Sequence, residues 1–189
     1  ADWVIALLDS LDVKTARLVG HSQGCLVAID ATARYPERVS RLGLIAGALA
    51  IPVNDQLLTM SDEALGKAIS VMTSWGHGPM GHMHDNTQPG HSFLGYGKRL
   101  MTSNHADALR NDLKACNNYS GGKASAAKIF QPALCILAGS DRMTPIKFGT
   151  AMADSLVNSE RIIMNGAGHM LPAERPAEVN DALRHFLSS

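Results

Sequence analysis

Leu18-Val19-Gly20-His21-Ser22-Gln23-Gly24-Cys25 is the stretch from which the fold is read. An apolar strand closes on Leu18 and Val19 and runs into Gly20-His21-Ser22-Gln23-Gly24, and helix-forming residues follow at once. The pattern is G-x-S-x-G between a strand and a helix, the nucleophile elbow, in which a sharp turn lifts a serine above the carboxyl end of a sheet. Such a turn strains the serine backbone and crowds its neighbours, so residues without a side chain are expected on both sides. Gly20 and Gly24 fill those places, Ser22 is the candidate nucleophile, and His21 and Gln23 complete the elbow.

Working outward, apolar strands are expected at Ala16 to Val19, Val39 to Ala46, Ala133 to Ala138 and Arg161 to Met164. Between them lie helical stripes: Val4, Leu7, Leu8 and Leu11 at the start, the run from Gln23 to Tyr35 that Pro36 stops, Phe148 to Leu156, and Val179 to Phe186. Strands apolar throughout and alternating with amphipathic helices imply an α/β fold, a mostly parallel sheet with helices on both faces. From residue 48 to 128 the character changes to a helical insertion, which leaves 1–47 and 129–189 as the core. Within it Ser61, with Asp62 and Glu63, reads as an N-cap and acidic first turn for a helix striped by Leu65, Ala68, Ile69 and Met72. Residues 76–84 read as an irregular glycine-rich loop. A second helix carries Ala106, Leu109, Leu113 and Cys116, and Ser120-Gly121-Gly122 reads as a hinge-like linker.

Composition narrows the function classes. The chain has 189 residues, 46% hydrophobic and 18% charged, enough for one real core. Seventeen basic and seventeen acidic residues cancel, so neither nucleic acid nor an anionic membrane is an expected partner. No apolar run approaches the roughly 20 residues of a membrane span, and no leader with a cleavage site opens the chain. Cys25, Cys116 and Cys135 are scattered and lack metal spacing, which suits reduced packing residues and a cytoplasmic location.

Acyl transfer at neutral pH needs a serine, a histidine to take its proton, and a carboxylate to hold that histidine in one tautomer. In parallel sheets such groups collect in loops at the carboxyl ends of strands. Ser22 follows the first strand, Asp141 the third and His169 the fourth, in the order Ser, Asp, His. Asp141 by itself also suits an N-cap for the following helix, where Gly-Ser-Asp-x-x-Thr-Pro is good turn chemistry as well. The second strand ends Ala46-Gly47-Ala48 and offers no acid.

These residues carry a resemblance. Gly20-His21-Ser22-Gln23-Gly24, Tyr35-Pro36-Glu37-Arg38-Val39, Gly139-Ser140-Asp141-Arg142-Met143-Thr144-Pro145 and Gly166-Ala167-Gly168-His169-Met170 are similar to the motifs of the α/β-hydrolase family. The resemblance spans nearly the whole chain and is weakest in the insertion. It implies Ser22 as nucleophile, His169 as base, Asp141 as orienting acid, the Gln23 amide as one oxyanion donor, no cofactor and no metal, with the insertion as the cap over a small-molecule acyl substrate. The first segment resembles the helix before the family's fifth strand. The expectation that follows is a carboxyl-terminal portion whose strand at Ala16 to Val19 forms an open edge, completed by another segment or by a homo-oligomer. One oxyanion donor is then lacking, a loss that typically costs about a hundred- to a thousandfold in rate.

The insertion adds two softer signals. His77, His82, His84, His91 and Asp85 cluster, but fit no closed zinc pattern, so a polar loop is the better reading. Met60, Met72, Met80, Met83 and Met101, with Trp75, Phe93 and Tyr96, suit either core packing or an adaptable apolar pocket, which would favour medium-chain or aromatic acyl groups over charged ones. The leading reading is a serine hydrolase of a carboxylic ester or related acyl bond; thioester, lactone, amide and carbon–carbon bonds stay open. The alternatives are a receptor that keeps the serine, histidine and aspartate but does little chemistry, and a catalytically impaired fragment.

Overall fold

Four parallel strands form one sheet in sequential order, β1 (Ala16–His21), β2 (Val39–Ile45), β3 (Ala133–Ala138) and β4 (Ser159–Met164). The computed structural model describes residues 1–82 and 92–188. Helices α1 (Asp2–Ser10) and α2 (Gln23–Arg34) flank β1. Between β2 and β3 come α3 (Asp55–Glu63), α4 (Leu65–Gly76), α5 (Pro79–His82), α6 (Phe93–Thr102), α7 (Ala108–Asn118) and α8 (Gly122–Ala126). Helix α9 (Ile146–Asp154) joins β3 to β4, and α10 (Leu171–Glu174) and α11 (Pro176–Ser188) follow.

The two-residue period of β3 builds both halves of the core. Ala133, Cys135 and Leu137 point to one face, where Ile29 of α2, Ala126 of α8 and Met152 of α9 close over them. Leu134, Ile136 and Ala138 point to the other, under Leu171, Val179 and Phe186. Every residue of β3 is buried, as a central parallel strand requires. β1 pairs only with β2 among the described residues, and Val19 is 45% exposed. The strand expected at Ala16 to Val19 therefore stands at a sheet edge.

Several local expectations are corrected. The helix striped by Leu65, Ala68, Ile69 and Met72 is α4, which starts after Ala64 with no side-chain cap, and it is preceded by a separate helix, α3, whose N-cap Asn54 accepts the Leu57 amide at 2.8 Å. Ser61 lies buried in the last turn of that helix and donates to the Leu58 carbonyl at 2.7 Å. Residues 76–82 are not wholly irregular, because α4 reaches Gly76 and Pro79 opens the single turn of α5. Ser120-Gly121-Gly122 is no linker: Gly122 is buried, and a Cβ there would stand 1.9 Å from the Leu49 carbonyl oxygen. The chain entering the insertion thus crosses the chain leaving it at van der Waals contact. In α1 the stripe is helical but poorly covered. Ile5 is its buried residue, whereas Leu7 and Leu11 are exposed.

Candidate active site

Ser22 is the joint between the end of β1 and the first residue of α2, with φ +55° and ψ −119°. That is strained backbone for a residue with a side chain, held because its surroundings over-determine it. The Ser22 amide donates to the Ile45 carbonyl at 2.9 Å, tying the turn to β2. Crowding falls on one flank alone. A Cβ on Gly20 would lie 2.3 Å from the Gly24 carbonyl oxygen, whereas one on Gly24 would meet nothing within 4 Å. The expectation that both glycines are sterically required is corrected for Gly24, because its missing side chain points to open space. Beneath the turn the Cys25 thiol faces the Gly20 and Ile45 carbonyls at 3.2 and 3.4 Å, and burial pushes it far above the usual thiol range. Cys25 is therefore an inert packing group. Gln23 opens α2, so its amide is one of the donors that a helix start leaves without an intrahelical partner.

Asp141 and His169 meet across the loops after β3 and β4. The His169 Nδ1 and Asp141 Oδ2 are 2.9 Å apart, with both side chains almost fully buried. Asp141 also serves the turn: its Oδ1 accepts the amides of Met143 and Thr144, each at 2.8 Å. Oδ1 thus serves the turn, Oδ2 faces the imidazole, and the helix that follows is not capped by Asp141, since the residue before α9 is Pro145. Burial pushes the Asp141 carboxyl up, but the hydrogen bond from His169, the imidazole's charge and the Thr144 donors outweigh it and hold the group below the ordinary carboxylate value. The Thr144 hydroxyl is central, 2.8 Å from the Ala46 carbonyl, 2.9 Å from Asp141 Oδ2 and 3.2 Å from His169 Nδ1. It has one proton to give and so donates to one of the two oxygens at a time. Ala46 itself sits at φ +46°, a second strained residue at this end of the sheet.

The His169 loop is held on several sides. His21 Nε2 donates to the His169 carbonyl at 2.7 Å; burial, then the nearby charge of His169, keep the His21 ring below its ordinary pKa. The Met170 amide donates to the Gly76 carbonyl at 2.8 Å. Glu174, 6% exposed, accepts the amides of Gly78 and Gly168 on one oxygen, each at 3.0 Å, while its other oxygen is buried without a hydrogen-bond partner among the described residues. One carboxylate therefore joins the end of the α4 segment to the loop that carries His169. Sequence reasoning singled out neither Glu174 nor the hydroxyl of Thr144. The Thr-Pro after Asp141 was a signal for the second, and nothing local signalled the first.

Two cavities meet at Ser22. One, of about 230 Å³, is walled by Ser22 and His169 with Met72, Leu100, Met101, Met143 and Met170, and His77 and Thr73 lie in its lining. The other, of about 210 Å³, is walled by Ser22, Val53, Leu57, Trp75, Leu113 and Arg142, and shares Met143 with the first. Of the expected methionines, Met72 and Met101 line the site, Met60 packs among the inserted helices and Met80 is exposed. Phe93 stacks on the His77 ring, and Tyr96 is exposed. His77 Nδ1 donates to the Thr73 carbonyl and His82 Nε2 to the Ser74 carbonyl, so both rings turn back onto α4. Among the described residues no three His, Cys, Asp or Glu side chains are grouped to hold a metal; Met83, His84, Asp85 and His91 lie outside those residues.

The family model described as "Alpha/beta hydrolase family" matches residues 1–182. The uncharacterized hydrolase YugF of Bacillus subtilis is 24% identical over 99% of this chain, which spans 70% of that relative's length. A solved thermophilic esterase is 27% identical, with a TM-score of 0.81 over 99% of this chain and 72% of its own. A hydrolase from Pseudomonas aeruginosa, 21% identical, shares the fold at a TM-score of 0.87 over 100% of this chain and 70% of its own.

Proposed function

The chain belongs to the alpha/beta hydrolase family, and on that premise we propose that it is a serine hydrolase of a carboxylic ester or a related acyl bond. The observation that carries the reading is the buried Asp141–His169 hydrogen bond of 2.9 Å, with His169 walling the same cavity as the strained Ser22. The likeness to a solved esterase at 27% identity supports it.

In this reading Ser22 Oγ attacks the acyl carbon and its proton passes to Nε2 of His169. Asp141 accepts from Nδ1, fixing the tautomer and stabilising the imidazolium. The oxyanion is met by the Gln23 amide at the positive end of α2. When the tetrahedral intermediate collapses, the bond to the leaving atom breaks and His169 returns the proton to that atom. Water then attacks the acyl-enzyme, with His169 as base, and Ser22 recovers its proton. The helices between β2 and β3 act as the cap, and the methionine-lined cavity takes an apolar limb of the substrate. Nothing in this sequence of steps calls on a cofactor.

The test is a fluorophosphonate probe together with a panel of neutral aryl esters. Labelling at Ser22 and ester turnover are expected, with both lost in His169→Ala and kcat lowered about 10⁴-fold in Asp141→Asn. Labelling without turnover on any ester supports the receptor reading instead, and absence of both overturns the proposal for this chain.

A further inference from the structure

One positive charge at the site has no part in the steps above. Arg142 lines the second cavity with Ser22, and no carboxylate is among that cavity's walls. Among the described residues Arg142 has no ion pair, as is also true of Arg17, Arg41 and Arg99, but of these four it alone lines a cavity with Ser22. The turn that carries it is pinned, because Asp141 holds the two following amides at 2.8 Å. Arg142 is exposed, and the wall beside it is mixed, apolar at Val53, Leu57, Trp75 and Leu113 and polar at Asn54 and Thr144. A charge beside such a wall acts in a lower effective dielectric than in open water.

The chemistry assigns the limbs. The base that takes the serine proton delivers it to the leaving atom, so the leaving limb lies on the side where His169 is. That side is the methionine-lined cavity. The acyl limb then takes the cavity beyond Met143, the one with Arg142. We propose that the acyl limb of the preferred substrate ends in a carboxylate read by Arg142, which makes the substrate class half-esters of dicarboxylic acids with an apolar alcohol. The inference rests on the hydrolase reading, and it replaces the uniformly apolar acyl group that the methionines alone suggested. A guanidinium suits the task because it stays charged at all working pH values and offers paired donors to a carboxylate. Its exposure limits the gain, and about a tenfold preference is expected, as for a partly screened pair.

The experiment compares kcat/KM for the monophenyl esters of glutaric, adipic and suberic acids with that for phenyl hexanoate. At least one acid is expected to exceed the neutral ester about tenfold, and the ratio to fall towards one in about 1 M sodium chloride, where the Debye length is about 3 Å. In Arg142→Gln the same ratio is expected to fall towards one at low salt. Hydrolysis of phenyl hexanoate at least as fast as of all three acids overturns the inference and leaves the hydrolase reading standing. So does a ratio unchanged by Arg142→Gln. Absence of turnover on all four esters, with Ser22 unlabelled, overturns the hydrolase reading itself.

Discussion

At the scale of single residues the elbow is asymmetric. Gly20 packs against the backbone that begins α2, so a methyl group there collides with the Gly24 carbonyl oxygen, which cannot yield without opening the turn. Gly24 has no such neighbour and lies within the helix, where alanine stabilises by about 0.4–1 kcal/mol when the backbone is compatible. Gly20→Ala is therefore expected to lower the melting temperature and abolish Ser22 labelling. Gly24→Ala is expected to melt at or above the parent and to keep its labelling. Equal damage from the two substitutions, read by thermal melts and probe labelling, would show that the turn is not crowded from one side. The motif names both glycines and cannot separate them. What separates them is which neighbour each missing side chain faces, and that is a property of the folded turn. The positions of Ser22, Asp141 and His169 were legible because each follows an apolar strand, and a parallel sheet puts those loops at one end. The hydroxyl of Thr144 was half legible: its place in a turn could be read, its contact with the histidine could not.

At the scale of elements, legibility tracked how local the governing interactions are. Strand β3 was read from its unbroken apolar run, being buried on both faces, and the helices α2, α9 and α11 from their stripes, since each helix buries one face on the sheet. The start of α4 was misplaced because Ser61-Asp62-Glu63 has the composition of an N-cap and first turn, yet Ser61 bonds back within α3 and the residue before α4 is Ala64. Helix α6 was not foreseen, as Gly95 and Gly97 interrupt a short stripe with the residue that most weakens a helix after proline. The clamp by Glu174 is the clearest case of an illegible feature, because one of the two amides it joins, that of Gly78, lies far away in the chain and neither partner is a side chain. Its consequence can be tested. Glu174→Ala strands two buried amides, and each such group costs about 1–3 kcal/mol, whereas Glu174→Gln keeps an oxygen to accept both. We expect Glu174→Ala to melt lower and to lose about tenfold in kcat on a neutral aryl ester, with Glu174→Gln within about twofold of the parent, since restraint on the His169 loop acts through the hydrogen bonds it accepts. Alanine and glutamine variants that behave alike in kcat would separate Glu174 from the positioning of His169.

At the scale of the whole molecule, both outer strands of the sheet expose apolar side chains. β4 shows Ile162 and Ile163 beside the charges of Glu160 and of Arg161, which pairs with Asp154 at 2.8 Å. β1 presents Val19 at 45% exposure, and α1 leaves Leu7 and Leu11 uncovered, the latter at 62%. Unpaired strand amides beside apolar side chains are a template for association. The chain spans 70% of YugF and 72% of the thermophilic esterase. For the 189 residues as they stand, self-association through β1 is expected, with a mass by light scattering above 20.1 kDa that rises with concentration. Val19→Lys places a charge on the uncovered face of the edge strand and is expected to return the mass towards 20.1 kDa without disturbing the sheet, since that side chain is half in solvent already. A mass of 20.1 kDa for the parent at every concentration would mean that the edge is self-sufficient. An associated state unchanged by Val19→Lys would move the contact to the apolar side of α1, where Leu7 and Leu11 are the residues to charge next.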